Sequence, residues 1–399
     1  MICRLFTFKS ISTNAPKKIN KSITGRFVIT SVFSLVVGLG FFSLVQAQTI
    51  PEDNLLPCDE LEQKALEQVS PDEVKKITAY KPAEIKERKN PRYPESAIRG
   101  KREGWVKLSY VIDTQGNVQD PVVEDYAGDR SFKRAAMSAI KGWTFEPAIK
   151  NGEPTEQCHQ EVIMSFALSG KGGASRRYAV KYREADEKLE SGDVASADQL
   201  VQELAQGDYR NRYENVWTFS LDARVAKELG DEKRELASIR RLLSSSSFIG
   251  SKDAIFSPEY YAYMYQRMFS LELKQNLFAE AMQTVAEIRE LENADAILAP
   301  LQPTIDEVQE FIASDENFFV VVDLDETGSY FHSLARNKFA FADIQGSLDT
   351  VEVRCDTHRE KFTVAEEFVW DIPKSWGQCR VLVEGKQGTR FGLVEVNKV

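Results

Sequence analysis

One short string of residues has the types and spacing that catalysis requires. The apolar residues 319–322 lead directly into Asp323, Leu324 and Asp325, and Thr327 follows. An aspartate at the end of a buried strand can attack phosphorus, and a second aspartate nearby can act as an acid or base. The string therefore offers one candidate hydrolase site, a phosphatase centred on Asp323.

The string resembles the nucleophile motif of haloacid-dehalogenase-type phosphatases, which also need a later lysine and an acidic pair on a parallel α/β sheet. The remainder of the chain instead alternates apolar and polar residues, as antiparallel strands do. A calcium loop is a second alternative, but its twelfth place is Leu334, where calcium needs a bidentate glutamate. We therefore predict an acidic turn after a strand, and no enzyme.

The cysteines indicate an oxidising compartment. One lies in the N-terminal segment, and the others form an even set: Cys58, Cys158, Cys355 and Cys379. Cys355 and Cys379 lie on neighbouring predicted strands, so we predict that they form one disulfide, and Cys58 and Cys158 pair by elimination. Zinc is the alternative, because Cys355 and His358 have ligand spacing, but no second such pair exists. We expect no metal and no cofactor.

The first 47 residues have the three parts of a secretory signal. Residues 1–26 carry six basic side chains and no acidic one, the apolar residues 27–45 follow, and Val45, Gln46 and Ala47 resemble a cleavage site. The apolar run is also close to the ~20 residues of a membrane span, so an inner-membrane anchor stays open. In both cases the basic end marks the cytoplasmic side. We therefore expect the chain from residue 48 onward in the periplasm.

Net charge argues against nucleic acid as a partner. Residues 1–47 carry six basic residues and no acidic one, so their removal lowers the net charge of −10 to −16. A strongly acidic surface repels phosphate backbones. We therefore predict protein partners only.

Hydrophobic periodicity divides the remaining chain into parts of different type. A polar segment precedes a compact α+β unit, a Gly- and Ser-rich linker leads into a helical part, and period-two alternation follows. The predicted fold class is a multidomain α+β chain that contains an α+β domain, an array of helical hairpins and a small all-β sandwich. The predicted parts are residues 48–89, 90–168, 176–314 and 317–399.

Three helical hairpins are predicted within residues 176–314. The turn regions at residues 189–197 and 274–281 resemble those of tetratricopeptide repeats, although their spacing is irregular. Generic helical hairpins are the alternative. The tyrosines within residues 260–265 either line a concave peptide-binding face of the array or pack between its repeats.

Within residues 90–168, a series of landmarks falls in one order: Asn90-Pro-Arg-Tyr-Pro94, Glu103-Gly-Trp-Val106, Asp113-x-x-Gly116-x-Val118, Phe132-x-x-Ala135-Ala136 and Trp143-x-Phe145-x-Pro147-Ala148. In this order and spacing they resemble the C-terminal domain of the TonB energy-transducer family. The resemblance implies a small sheet backed by helices, with a free edge on its last strand.

An unpaired strand edge exposes N–H and C=O groups that can pair with an extended peptide. The family's partner is the N-terminal box of a TonB-dependent outer-membrane transporter, and we expect this partner or another envelope protein. Carried onto this chain, the edge spans residues 160–168, and the segment before the first helix lies near the same partner. The implied partner-binding residues are Arg92, Tyr93, Gln160, Val162, Met164 and Phe166.

Two features differ from the energy transducers of that family. Residues 48–89 are a short spacer with few prolines, and the apolar residues 27–45 contain no histidine. Two functions therefore stay open. The first is a periplasmic protein that binds an extended transporter segment and supports transmembrane transport. The second is an envelope scaffold that uses its helical repeats for protein–protein interaction without energy transduction.

The N-terminus provides a direct test of export. We expect N-terminal sequencing of the protein purified from the periplasm to begin at Gln48, because Ala47 ends the cleavage site. Recovery of the intact N-terminus in the inner-membrane fraction would instead establish residues 27–45 as an anchor.

Overall fold

The computed structural model describes residues 80–168, 173–206, 210–245, 254–364 and 368–397. All of them belong to one compact unit that begins at Thr78. The signal or anchor predicted at residues 1–47, most of the polar segment 48–89 and Cys58 lie outside the described residues. No helix within the described ranges is both long and apolar enough to cross a bilayer.

The sheet region, residues 80–168, is built on a central antiparallel strand. β3 pairs with β4 on one side and with β8 on the other. Two short helices and two smaller sheets surround it. Its strands are β1 (Tyr80–Lys81), β2 (Glu84–Glu87), β3 (Gly104–Ile112), β4 (Val118–Ala127), β5 (Thr144–Glu146), β6 (Ala148–Lys150), β7 (Glu153–Thr155) and β8 (Gln157–Phe166), and its helices are α1 (Glu95–Arg99) and α2 (Ser131–Ile140).

Alternation along β3 fixes which face of this sheet meets the helices. Val106, Leu108 and Tyr110 share a core with Phe132 and Ile140 of α2. Successive strand residues point to opposite faces, whereas the apolar stripe of a helix recurs every three or four residues. The two periodicities together place α2 against one face of the sheet.

The helical region contains three consecutive hairpins. Residues with capping side chains start its helices: Ser175 accepts a hydrogen bond from the backbone of Tyr178, and Asn211 forms a capping box with Glu214. Gly230 ends a helix in the left-handed conformation, at φ 71°. The helices are α3 (Arg176–Glu190), α4 (Val194–Gln206), α5 (Arg212–Leu229), α6 (Glu232–Ser245), α7 (Pro258–Lys274), α8 (Phe278–Arg289), α9 (Ala294–Leu298) and α10 (Gln302–Ala313). Their likeness to tetratricopeptide repeats stays a prediction.

The β region contains two four-stranded antiparallel sheets that share one core. Their strand orders are β10-β15-β12-β13 and β14-β11-β16-β9. The strands are β9 (Phe318–Asp323), β10 (Ser329–Ser333), β11 (Lys338–Gln345), β12 (Leu348–Cys355), β13 (Arg359–Phe362), β14 (Val369–Asp371), β15 (Cys379–Gly385) and β16 (Arg390–Glu395).

A disulfide joins Cys355 to Cys379, which are direct neighbours on β12 and β15. The predicted pairing is confirmed. The bond closes a loop with a sequence separation of 24, which restricts the unfolded chain and stabilises the fold by roughly 3 kcal/mol. The alternative zinc site at Cys355 and His358 is wrong, because the sulfur of Cys355 is already bonded.

The outer edge of β9 is covered by side chains of the helical region. Asn276 donates to the carbonyl of Phe319 at 2.9 Å, and Lys233 donates to the carbonyl of Val321 at 3.4 Å. Side chains that occupy edge carbonyls hinder pairing with another chain.

Gly104, at the start of β3, lies tightly against the end of β4. A Cβ atom there would lie 2.0 Å from the carbonyl oxygen of Ala127. We expect Gly104→Ala to lower the free energy of unfolding by ~3 kcal/mol or more, because backbone must move to admit the methyl group.

The measurement is urea unfolding followed by circular dichroism. Gly173→Ala is the matched control, since no atom lies within 4 Å of a Cβ at that position. Equal stability of the two variants would contradict the close approach of β3 and β4.

Candidate functional site

β8 is an edge strand. It pairs with β3 in continuous register from Gly104↔Phe166 to Tyr110↔Gln160. No strand among the described residues pairs with its other side. The N–H and C=O groups that point outward along β8 are therefore an open edge, as the sequence predicted. The strand begins three residues and ends two residues before the predicted range 160–168.

Half of the predicted partner-binding side chains face the core. Met164 and Phe166 are each only 2% exposed. Phe166 stacks on Phe132 with ring centroids 4.3 Å apart, and Tyr93 meets both rings edge-on. Tyr93 also donates its hydroxyl to the carbonyl of Arg102 at 2.5 Å, and burial raises its pKa to about 12. Met164 and Phe166 can therefore meet a partner only through their backbone, and Tyr93 is half-buried against the same rings.

The other predicted residues are accessible. Gln160 and Val162 are half-buried, and their neighbour Ile163 is 39% exposed. Arg92 is exposed and lies 3.5 Å from Glu95, at the start of α1. The accessible set therefore contains one cation and a short mixed surface along β8.

The face of the sheet opposite α2 meets the β region through a partly buried ionic cluster. Lys107 contacts Glu124 at 3.0 Å and Glu161 at 2.8 Å. Arg380 of β15 donates to Glu124 at 2.6 Å and also pairs with Glu161. Two cations and two carboxylates alternate, so each charge has a partner of opposite sign. We call these four residues the ionic cluster.

Pairing outweighs burial within the ionic cluster. Burial raises the pKa of Glu124, but Arg380 and Lys107 act more strongly together, so its pKa lies below the 4.5 of an isolated glutamate. Burial likewise lowers the pKa of Lys107, and Glu124 and Glu161 raise it above its ordinary value. The carboxylates of the cluster likewise raise the pKa of Arg380, so Glu124, Lys107 and Arg380 are charged at neutral pH.

Further contacts extend this junction toward the end of the sheet. Arg354 of β12 reaches Ser109 at 3.5 Å. Arg359 of β13 pairs with Asp120 and lies 3.3 Å from Glu156. The β region therefore contacts strands β3 and β4 and the residue just before β8. These contacts extend the interface over the same face of the sheet.

The helical region is joined to the sheet region mainly through Glu103. Its carboxylate accepts from the backbone N–H of Leu168 at 2.6 Å and from that of Arg212 at 2.8 Å. Its carbonyl accepts from Asn215 at 3.2 Å. One side chain thus links the end of β8 to the start of α5.

Trp105 and Asp125 make two more links between these regions. The indole N–H of Trp105 donates to Ser245 at 2.7 Å. Asp125 accepts from the guanidinium of Arg241 at 3.0 and 3.1 Å. Helix α6 is therefore fixed against the sheet at both β3 and β4.

A cleft of about 1980 Å³ lies where the three regions meet. We call it the junction cleft. The sheet contributes residues of β3, β4 and β8, the helical region contributes α6, α7 and α8, and the β region contributes β10 and the turn before it. Glu161, Val162 and Ile163 of β8 lie on its wall, so the junction cleft opens beside the open edge.

The Asp323 string does not form the site that its residue types suggested. Asp323 ends β9 in an antiparallel sheet, with its carboxylate 3.5 Å from Arg390 and 3.7 Å from Lys233. Asp325 accepts from the backbone and hydroxyl of Thr327 at 2.8 and 2.6 Å. The string is an acidic turn whose groups are engaged locally.

Cys158 and a metal site are the remaining candidates for chemistry, and the described residues support neither. Cys158 is buried, and burial raises the pKa of its thiol to about 12, which keeps it protonated. Its predicted pairing with Cys58 stays a prediction. No group of three or more His, Cys, Asp or Glu side chains within the described residues is arranged to hold a metal ion.

Comparison with known proteins identifies the sheet region. Residues 89–168 match the family model "Gram-negative bacterial TonB protein C-terminal", so the resemblance predicted for residues 90–168 is confirmed. Protein TonB of Xanthomonas campestris pv. campestris (strain B100) is 37% identical over 79 residues, which are 20% of this chain and 35% of that protein. Protein TonB of Vibrio cholerae is 35% identical over 95 residues, 24% of this chain and 38% of that protein.

A solution NMR structure of the Pseudomonas aeruginosa TonB CTD is 22% identical in sequence. It covers 23% of this chain and 90% of that chain, with a TM-score of 0.19. The chain spans little more than a third of the length of the curated relatives it matches.

Arg380 is the member of the ionic cluster that comes from the β region. We expect Arg380→Met to lower the free energy of unfolding by about 3–5 kcal/mol, because it leaves the buried carboxylates short of a partner. Urea unfolding at neutral pH measures the loss. Arg390→Met is the control, since that exposed pair with Asp323 is worth less than about 1 kcal/mol.

The same cluster gives a pH dependence in the wild type. The folded-state pKa of Glu124 lies below 4.5, so its stabilising contribution is complete above that pH. The contribution is lost as the pH falls through the folded value.

For the substitution, an Arg380→Met protein as stable as the Arg390→Met control would show that the cluster does not hold the interface.

Proposed function

We propose that this chain binds an extended segment of an outer-membrane transporter, or of another envelope protein, by strand addition to β8, in support of transport. The open edge of β8 is the observation that carries the proposal. The match of residues 89–168 to the TonB C-terminal model supports it, because relatives over this stretch are named TonB.

The coverage of the two sheet faces supports the same reading. One face packs on α2 through Phe132 and Phe166. The other is held by the ionic cluster, and Trp105 is fixed to Ser245. With both faces occupied by the chain itself, the edge of β8 is the part of this strand that remains for a partner.

Strand addition suits the residues of this edge. Outward N–H and C=O groups supply affinity to any extended chain, and alternate side chains supply selectivity. Gln160, Val162 and Ile163 are the accessible side chains in the middle of β8. In this proposal Arg92 holds a carbonyl or carboxylate of the partner from the segment before α1.

The expected compartment is consistent with the disulfide. Cys355–Cys379 is the kind of bond that persists outside the reducing cytoplasm. We propose the periplasm, with residues 27–45 as an inner-membrane anchor if the leader is retained. Whether the chain uses proton-motive force is a separate matter from binding.

A scaffold is the second candidate function, and a groove in the helical region favours it. A cavity of about 390 Å³ is lined by Tyr260 and Tyr263 of α7 together with Arg224, Lys227 and Arg267. Glu190, Glu228 and Glu235 also line it, and Arg267 is paired with Glu235, so the groove offers a peptide a surface of aromatic and mixed charged side chains. Binding there would leave β8 unused.

A pair of proline substitutions distinguishes an outward from an inward N–H on β8. Neighbouring residues of an antiparallel strand direct their N–H groups to opposite sides. One of Val162→Pro and Ile163→Pro therefore removes a bond to β3, and the other removes an outward donor, which an edge strand tolerates. We expect the variant that removes the outward donor to keep most of its stability but to lose binding at least about tenfold.

The readout is retention of TonB-dependent transporters from detergent-solubilised outer membranes on the immobilised full chain, with urea unfolding of each variant in parallel. Arg267→Ala, which alters the helical groove, is the control for the scaffold reading. Undiminished retention by the folded proline variant, with loss in Arg267→Ala, would replace strand addition by the scaffold.

A further inference from the structure

The outward side of the sheet β14-β11-β16-β9 is apolar at its centre. Two rows of paired residues cross strands β9, β16 and β11 there, and each residue in them is apolar or glycine: Phe319, Val394 and Ala340 in one row, and Val321, Gly392 and Ala342 in the next. We call these six residues the apolar face. An antiparallel sheet that meets water on one side normally carries polar residues at such positions.

The apolar face lies outside the core of the β region. Phe319 is 56% exposed, and the other five residues are half-buried. None of the six belongs to, or packs against, a cluster of buried apolar residues within the described ranges. Their strand neighbours Val320 and Leu393 do belong to the core. These strands are therefore apolar on both sides, which is the pattern of strands that are covered on both sides.

The other outward side of the same sandwich is already an interface within the chain. There Arg380 of β15 joins the ionic cluster, and Arg354 of β12 reaches Ser109. That contact relies on paired charges, whereas the apolar face has none. A surface that covers the apolar face must therefore be apolar over the same area, because the gain comes from removing apolar surface from water.

The two ends of the apolar face each mix acids with bases. At one end, the basic groups of Arg390 and Lys233 lie 3.5 and 3.7 Å from the carboxylate of Asp323. At the other end, the ammonium group of Lys338 lies 3.4 Å from the carboxylate of Asp371. A surface with a strong charge of one sign finds no complement in this rim. A second copy of the chain presents the same mixed rim, so it meets no wall of like charge.

The shape of the apolar face also suits a second copy. Phe319 is its largest side chain and stands on the edge strand β9, whereas Gly392 and Ala342 leave a hollow on β16 and β11. A dimer with two-fold symmetry brings the same patch of both copies together, so each copy must supply a projection and a hollow. Phe319 of one copy can then fill the hollow of the other, and the reverse.

We propose that the apolar face binds the apolar face of a second copy of this chain and that the dimer is weak and reversible. From a strand spacing of ~4.8 Å and a rise of ~3.4 Å per residue, the face and its rim cover on the order of 300 Å² in each copy. A stable dimer buries about 800 Å² per partner, so the copies exchange freely. This inference does not depend on strand addition to β8, because all six residues lie in the β region.

Photo-cross-linking of the full chain identifies what covers the apolar face. We expect benzoylphenylalanine in place of Phe319 to form a cross-link to the segment of Gly392 in a second copy. A mixture of isotope-labelled and unlabelled chains distinguishes this cross-link from one within a chain by mass spectrometry. Val180 is the matched control position, since it is 52% exposed on α3 and should give no cross-link between copies. Cross-links only to a different protein or to lipid, or none at all, would overturn the proposal.

Analytical ultracentrifugation of the purified full chain, at up to ~1 mM, measures the strength of the dimer. Phe319→Ser removes the projection and Gly392→Val fills the hollow, so each should raise the Kd of the dimer at least about tenfold. A Cβ at position 392 lies 3.4 Å from its nearest atom, the carbonyl oxygen of Ala342, so the strand can admit it.

Val180→Ser is the control for the loss of an exposed apolar side chain and should dimerise like the wild type. Urea unfolding of each variant verifies that the fold is kept. A wild type that stays monomeric over the whole concentration range contradicts the proposal. So do folded Phe319→Ser and Gly392→Val proteins that dimerise as strongly as Val180→Ser.

Discussion

The arrangement of the sheet region and the β region depends on the ionic cluster of Lys107, Glu124, Glu161 and Arg380. Burying a charge is expensive, and the cost is offset only when each ion meets an oppositely charged partner. Arg380 comes from the β region and the other three from the sheet, so the set is complete only when the β region sits in one position. Its main effect is therefore to specify orientation, because a well-paired buried ion set adds little net stability.

The position of the β region decides what the sheet can offer to another protein. With α2 on one face and β15 on the other, the sheet keeps one open margin among the described residues, the outward edge of β8, and the junction cleft lies beside it. Glu103 then fixes the end of that margin by holding the backbone of Leu168 and the start of α5 together. The helical region thus holds the end of β8 in place and also forms one wall of the cleft.

Local patterns predicted the elements well, since alternation and capping act over a few residues. The central strands, the hairpins and the disulfide follow from such patterns, and so does the TonB-like character of residues 90–168. Alternation alone does not indicate strands β10 and β14, because Tyr330 and Trp370 lie in short runs whose packing partners are distant in sequence.

The site was less accessible to prediction, for a physical reason. Arg380 and Glu124 are 256 positions apart, and neither local spacing nor composition shows that two charges so far apart will neutralise each other. Carrying residues over from a family likewise selected Tyr93, Met164 and Phe166, whose side chains face the core.

The continuous register between β3 and β8 has a mechanical consequence. From Gly104↔Phe166 to Tyr110↔Gln160 the two strands are matched residue by residue without a bulge. A ligand paired with β8 and pulled along the strand axis would load these hydrogen bonds in shear. They would then resist the force together instead of breaking one after another. The tension would pass to β3, which is flanked on both sides, so this margin is suited to a pulled tether as well as to a static contact.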